Sequence, residues 1–387
     1  MKSLPWLGLA CGLLVWTCTV QSGRIQAEAL AEKVHQQFCP DKRVCIWDVS
    51  FSGGKPLILS GSTNLPDAKA QLVHQLREAG IPFIDSLQVF PAAELEGKCF
   101  GLVNVSVCNI RSEPRHSAEL ATQAIMGTPL RIFEQQGDWY RVQTPDQYIG
   151  WLDTGGLITL DSLAFNHWRR SGRVIVSDEF CTAKSSPDPG SFPVSDLVSG
   201  CILEKSGEEG GFIQVSFPDG RTGYLAKEHT RPFGEWENDR IPGWQQLFHS
   251  ATALLGRPYL WGGTSVKAMD CSGFTKTVFF ENGLILPRDA SQQVRVGEDV
   301  QKDSIQKGDL LFFGRKGSTD VREKITHVAI YLGEGTFIHC SGQVKIESLD
   351  PESPLYSEYR DTTFVRAKRL LTPSLDHNML VRNHPLY

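Results

Sequence analysis

A chain of 387 residues, 41% hydrophobic and 21% charged, has the make-up of a globular protein and the length for two or three domains with real cores. Its formal net charge of -5 leaves no basic footprint, which argues against nucleic acid as a partner.

The N-terminus reads as an export signal over residues 1–27. Lys2 supplies a short positive region, Leu4 to Val20 is an apolar stretch broken by small or polar residues, and Gln21 to Ala27 offers cleavage sites. A membrane span needs about 20 apolar residues, so no transmembrane anchor is expected. Cys11 and Cys18 bring up lipidation, but Gly8 before Cys11 and Trp16 before Cys18 are poor contexts, and a lipid anchor is weakly supported. The protein is expected to be periplasmic or extracellular, and monomeric. Export permits disulfides. Outside the signal, Cys271 and Cys340 fall in a suspected catalytic region. Cys39, Cys45, Cys99, Cys108, Cys181 and Cys201 remain, and many connectivities are open to them. Pairing of sequence neighbours (39 with 45, 99 with 108, 181 with 201) is the simplest.

Residues 28–100 form a small α/β segment, with a strand-like run from Val44 to Val49 and a helical one from Asp67 to Ala79. Asp67 is the expected cap, and Gly80 and Pro82 end the helix. Residues 101–160 and 161–235 are β-rich and share a pattern. Gly137-Asp138-Trp139-Tyr140-Arg141-Val142, then Pro145-Asp146 and Gly150-Trp151-Leu152, parallels Gly211-Phe212-Ile213-Gln214-Val215, then Pro218-Asp219-Gly220 and Gly223-Tyr224-Leu225. A repeat of about 70 residues implies two copies of one small barrel. The pair resembles two bacterial SH3-like domains, which typically end in a Gly-Trp/Tyr-Leu/Val strand.

Residues 240–372 change character. Helices are expected from Trp244 to Leu255 and from Cys271 to Glu281, the latter ended by Asn282-Gly283. Strands follow at Asp309 to Phe313, Thr326 to Leu332 and Gly335 to Cys340. A helix carrying a cysteine, then a sheet carrying His327 and His339, is an α+β papain-like order. The tail, 373–387, has no readable pattern.

The chemistry centres on Cys271, flanked by Asp270 and Ser272. A thiolate is the nucleophile, and at the first turn of a helix the dipole and free N–H groups favour it. The Ser272 and Gly273 amides are candidate oxyanion donors. A hairpin closing with Leu332 opposite Thr336 sets Ala329 opposite His339. His327 then lies on the same face, a diagonal neighbour at about 7–8 Å. One imidazole would face Cys271 and the other would orient it. Cys340 alternates to the opposite face and reads as buried and inert. A metal site is disfavoured, because Cys-x-x-Cys and His-x-x-x-His spacings are missing, and no cofactor is implied.

This region resembles the NlpC/P60 cysteine peptidases, which cleave peptide stems of bacterial cell wall. The resemblance rests on Gly256-x-Pro258-Tyr259-x-Trp261-Gly262-Gly263, Asp270-Cys271-Ser272-Gly273-Phe274, Leu286-Pro287-Arg288-Asp289, Gly308-Asp309-Leu310 and His327-Val328-Ala329-Ile330-Tyr331. It implies Cys271 as nucleophile, His327 as base and His339 as the orienting third residue. The whole chain is similar to the γ-D-glutamyl-L-diamino acid endopeptidases with two SH3-like domains, whose substrates are murein peptides with a free N-terminal L-alanine. By motif position the resemblance implies that Glu113, Tyr148 and Asp289 close the substrate end and hold the amine. Tyr259 and Trp261 would line the cleft, with Asp270, Ser272 and Arg288 near the γ-D-glutamyl unit. Each has a plainer reading: a solvated turn for Glu113, barrel core for Tyr148, packing for Trp261, helix caps for Asp270 and Asp289. The rival functions are a non-catalytic wall-binding protein, or another amide hydrolase or acyltransferase on the same fold.

Overall fold

The computed structural model describes residues 10–238 and 243–387. Residues 1–9 of the expected signal, the side chains of Cys11 and Cys18, and Arg240 at the expected domain start lie outside the described residues. No helix among the described residues is long and apolar enough to cross a membrane. The chain divides into two compact units, Met1–Glu96 and Gly97–Tyr387.

In the first unit α1 (Ala10–Phe38) is followed by β1 (Trp47–Gly53), β2 (Leu57–Thr63), α2 (Pro66–Glu78) and β3 (Phe83–Val89), with the three strands in the order β1-β2-β3. The β1–β2 pair is antiparallel, and α2 is the crossover that makes β2 and β3 parallel. Ala68, Leu72 and Leu76, one turn apart, join Ala27, Ala31 and Val34 of α1 in burying the sheet residues Phe51, Leu57, Leu59 and Leu87. Pro66 takes the first helical position, where its missing N–H costs nothing, so Asp67 falls inside the first turn instead of capping it.

The second unit opens with β4 (Phe100–Val103), β5 (Val107–Arg111), β6 (Leu120–Ile125), β7 (Pro129–Gln136), β8 (Trp139–Gln143), β9 (Ile149–Asp153) and β10 (Leu157–Leu160). They form one seven-stranded sheet, ordered β10-β4-β7-β8-β9-β5-β6. After α3 (Ser162–Arg170) come β11 (Arg173–Val176), β12 (Phe180–Lys184), β13 (Pro193–Val198), β14 (Ile202–Glu209), β15 (Phe212–Ser216), β16 (Thr222–Ala226) and β17 (Thr230–Pro232). Their sheet also has seven strands, read from the other edge as β17-β11-β14-β15-β16-β12-β13. The two orders agree strand for strand, the structural form of the sequence repeat.

The cysteines correct one expectation. Cys39 and Cys45 are bonded, but Cys99, Cys108, Cys181 and Cys201 are free. Strand register separates them: Cys181 sits opposite Leu197, while the Cys201 thiol donates to the Ser106 carbonyl 3.7 Å away. Cys108 is buried against Gly156.

The remainder comprises α4 (Phe233–Asn238), α5 (Trp244–Ala253), the short pair β18 (Thr264–Ser265) and β19 (Ala268–Met269), α6 (Cys271–Glu281) and α7 (Ala290–Gln293). Then come β20 (Glu298–Val300), β21 (Leu310–Arg315), β22 (Lys324–Gly333), β23 (Thr336–Ser341), β24 (Gln343–Ser348), α8 (Glu358–Thr363) and β25 (Phe364–Arg369). The six strands run β20-β25-β21-β22-β23-β24, all antiparallel. The buried Phe274 and Val278 of α6 share a core cluster with Val328 and Ile338 of β22 and β23. Residues 373–387, unreadable as sequence, pack tightly. Ile285 N–H donates to the Met379 carbonyl at 2.7 Å and Val381 N–H to the Gly283 carbonyl at 3.0 Å. Tyr387 enters a cluster with Leu102, Phe165, Ile175, Ile202 and Phe233, drawn from both sheets and the helices after them.

Candidate active site

Cys271 occupies the first position of α6, and Asp270 is its N-cap. The Asp270 carboxylate accepts the Gly273 N–H at 2.7 Å and the Gly262 N–H at 3.0 Å. It also pairs with Arg288, Nη2 to Oδ2 at 2.6 Å. The Arg288 guanidinium, 1% exposed, further donates to Ser272 Oγ at 3.0 Å and to Thr122 Oγ1 of β6 at 3.0 Å. Asp270, Ser272 and Arg288 thus form a closed buried network beneath the cysteine. Because Asp270 takes the Gly273 amide, that amide is not free as an oxyanion donor.

Burial, aided by the Asp270 charge, pushes the Cys271 thiol up to about 11; the Val328 and Ser272 N–H groups and Arg288 pull the other way. Burial therefore works against the thiolate that the start of the helix was expected to favour. The influence of the Val328 amide seats the sulfur against β22, one residue past His327.

The hairpin of β22 and β23 differs from expectation by one residue. Gly333, not Leu332, pairs with Thr336, because Glu334 and Gly335 form a tight turn with φ of 51° and 75°. A bulge at Leu332 restores the expected register by Ile330 and Ile338. His327 Nε2 lies 2.7 Å from His339 Nδ1, with the rings nearly perpendicular at 88°. Beyond them, His339 Nε2 is 3.2 Å from Glu347 Oε2, an ion-pair distance without hydrogen-bond alignment. Burial lowers both imidazoles well below 6.5; Glu347 opposes this at His339, and the charge of Arg360 adds to it at both. Lys345 anchors Glu347 from the same strand at 2.6 Å.

The other expected residues divide. Tyr148 is buried, and its hydroxyl donates to Asp289 Oδ2 at 3.2 Å. Asp289 also forms a capping box with Gln292 at the head of α7, so the cap reading and the contact coexist. Trp261 is 64% exposed and donates from Nε1 to Glu119 Oε1 at 2.7 Å. Tyr259 is half-buried, and its phenol is raised by burial and by the charges of Cys271 and Asp270. Glu113 stands apart, exposed and ion-paired with Arg115 at 3.0 Å. Cys340 is fully buried, its thiol on the Met269 carbonyl at 3.1 Å. Glu119, Thr122, Glu347 and Arg360 were not anticipated. For Glu347 a signal existed: Gln343, Lys345 and Glu347 alternate along β24, all on the face that carries His339. Among the described residues no cluster of three His, Cys, Asp or Glu is arranged to hold a metal.

Comparison with known proteins gives this arrangement a context. Residues 256–369 match the NlpC/P60 family, and residues 110–157 match the bacterial dipeptidyl-peptidase SH3 domain. A gamma-D-glutamyl-L-lysine dipeptidyl-peptidase of Bacillus cereus is 30% identical over 253 residues, 62% of this chain and 73% of that protein. The chain belongs to the NlpC/P60 family. Dipeptidyl-peptidase 6 of Lysinibacillus sphaericus is 29% identical over 276 residues, 68% of this chain and 96% of that protein. The crystal structure of an NlpC/P60 family protein from Bacillus cereus superposes with a TM-score of 0.61 at 25% identity, covering 70% of this chain and all of that one (100%). Membership makes the chain a cysteine peptidase acting on a peptide, with an SH3-like domain ahead of its NlpC/P60 domain.

Proposed function

We propose that this NlpC/P60 protein is an exported endopeptidase that hydrolyses the γ-D-glutamyl-L-diamino acid bond of murein peptides with a free N-terminal L-alanine. In this reading the domains run 28–100, 101–160, 161–235 and 240–372, and the second seven-stranded sheet is a second SH3-like domain. Cys271 is the nucleophile, His327 the base and His339 the orienting residue. The chain of contacts suits those roles. With His327 Nε2–H donating to His339 Nδ1, and Glu347 within ion-pair distance of His339 Nε2, the lone pair of His327 Nδ1 is left for the Cys271 proton. The thiol gives up that proton as its sulfur attacks the γ-carbonyl carbon. A thioester forms, the C–N bond breaks, and His327 returns the proton to the leaving amine. Water activated by His327 then hydrolyses the thioester and frees L-Ala-D-Glu. The Asp270–Arg288–Ser272 network holds the head of α6 at a fixed height for this attack.

The observation that carries the substrate reading is the Tyr148–Asp289 hydrogen bond. It supports a carboxylate held at the closed end of the cleft by the SH3-like domain, where a desolvated ammonium needs a charged acceptor. Glu113, turned to Arg115, would join only by releasing that exposed ion pair, which is weak. The test is mass spectrometry of products from L-Ala-γ-D-Glu-L-Lys with free and acetylated N-termini. Free peptide should yield L-Ala-D-Glu and lysine, acetylated peptide should stay intact, and Cys271→Ala should be inactive. Equal cleavage of both peptides would remove the amine-binding reading, and cleavage by Cys271→Ala would remove the mechanism.

A further inference from the structure

Arg360 of α8 stands beside the reacting groups and is unused in the scheme above. Its guanidinium is buried, 9% exposed, and lies 5.6 Å from the centre of the Phe313 ring and 5.2 Å from that of Tyr359. Nη2 donates to Ser341 Oγ at 3.2 Å. Phe313 in turn packs on His327, ring centres 5.9 Å apart, and Ser341 follows His339 by two residues on the same face of β23. The guanidinium therefore covers the histidine side of the cleft. Among the described residues it forms no ion pair, since the acid on that face, Glu347, is taken by Lys345 and His339. A buried arginine with five donors and a single hydroxyl partner is an unfilled fork, and a carboxylate is the group that matches it. Burial is the largest influence on its charge, and Glu347 and Cys271 act on it from across the site.

We propose that Arg360 binds a carboxylate of the residue on the leaving side of the scissile bond. The inference rests on the γ-D-glutamyl peptidase reading and adds a substrate feature to it. His327 must hand its proton to the departing amine, so the leaving residue lies on the His327 side, where Arg360 is. The acyl half lies toward Tyr148 and Asp289. A third stem residue offers such a carboxylate in two ways: a free α-carboxylate at the end of a tripeptide, or the side-chain carboxylate of diaminopimelate.

Steady-state kinetics on four peptides tests this: L-Ala-γ-D-Glu-L-Lys, its C-terminal amide, L-Ala-γ-D-Glu-meso-diaminopimelate, and that peptide's α-amide. If the α-carboxylate is the ligand, wild-type kcat/KM falls on amidation of either peptide, mainly through KM, by roughly tenfold to a hundredfold, the range of a charge-assisted pair. If the side-chain carboxylate is the ligand, the diaminopimelate α-amide keeps its rate and both lysine peptides are poor. In either case Arg360→Gln erases the preference, so that acid and amide are cleaved with equal kcat/KM, and Arg360→Lys restores part of it. The wild-type comparison needs no variant to fold. Equal wild-type rates on all four peptides, or an Arg360→Gln loss of the same size on acid and amide, would overturn the assignment. No cleavage of any peptide would overturn the peptidase reading, and this inference with it.

Discussion

His327 and His339 are kept neutral by burial at pH values where an exposed imidazole would charge. Two consequences carry opposite implications for acid. A base whose pKa lies below 6.5 stays deprotonated as the pH falls, so the acid limb of kcat/KM should lie below pH 6.5; a limb at or above 6.5 would show that the base is exposed or is another group. Stability moves the other way. The unfolded chain binds protons at these histidines before the native one does, so their contribution is complete above pH 6.5 and is lost as the pH falls toward the native values. Melting temperature measured from pH 7.5 downward should drop below 6.5, and His339→Gln should flatten that drop. Sequence alone named both histidines because a hairpin pattern and a cysteine motif point at them. It did not foresee that Arg288 lies wholly beneath the surface, since its partner Thr122 comes from β6, 166 residues away.

At the scale of elements, local pattern was most legible where period and caps agreed. Helix α6 starts and stops where Asp270, Asn282 and Gly283 direct. Hairpin closure was less legible, because the two positive-φ residues Glu334 and Gly335 shift pairing by one and the Leu332 bulge shifts it back. Glu347 left only the alternation along β24 as a trace, and Arg360 left none, because it joins the site from α8, a separate element after the hairpin. The Trp261-Gly262-Gly263 segment shows what a motif glycine does here. Gly262 has φ of +79°, and a Cβ there would sit 2.2 Å from the Leu120 carbonyl of β6. Gly262→Ala should therefore cost about 1–3 kcal/mol in backbone conformation alone, and the clash adds to it. Its second effect should be selective: the substituted segment pushes away β6, so KM for the free-amine peptide should rise more than thermal stability alone explains. An unchanged KM would mean that the SH3-like domain and the cleft do not depend on this close approach.

For the second unit as a whole, three parts meet at shared points rather than hanging on linkers. Ser106, in the bend between β4 and β5, donates to Asp196 of β13 at 2.8 Å, and Lys267 beside the cysteine helix bonds both, at 3.0 and 2.6 Å. Ile202 N–H reaches the Met126 carbonyl at 3.0 Å. Tyr387 closes the same assembly, its ring 6.3 Å from Phe233 and 6.1 Å from Phe280. Tyr387→Ala should destabilise this unit by about 3–5 kcal/mol, the range for deleting a buried aromatic ring, read as a lower midpoint in urea. A shift below about 0.5 kcal/mol would show that the tail is dispensable. The repeat made the two sheets foreseeable, but this clasp was not, because nothing in residues 373–387 has a period.

Trp261 turns that assembly into something that can be watched. Its indole is 64% exposed, whereas those of Trp47, Trp139, Trp168 and Trp236 are buried, and its Nε1 donates to Glu119 of the SH3-like domain. Light emitted by this side chain should be dimmed by acrylamide far more than that of the others, and a peptide filling the cleft should shield it. Titrating the inactive Cys271→Ala protein with substrate should reduce that quenching, and Trp261→Phe should abolish the response. In the proposed reading the protein thus carries a native fluorophore on the lip of its cleft, and occupancy becomes measurable without any label.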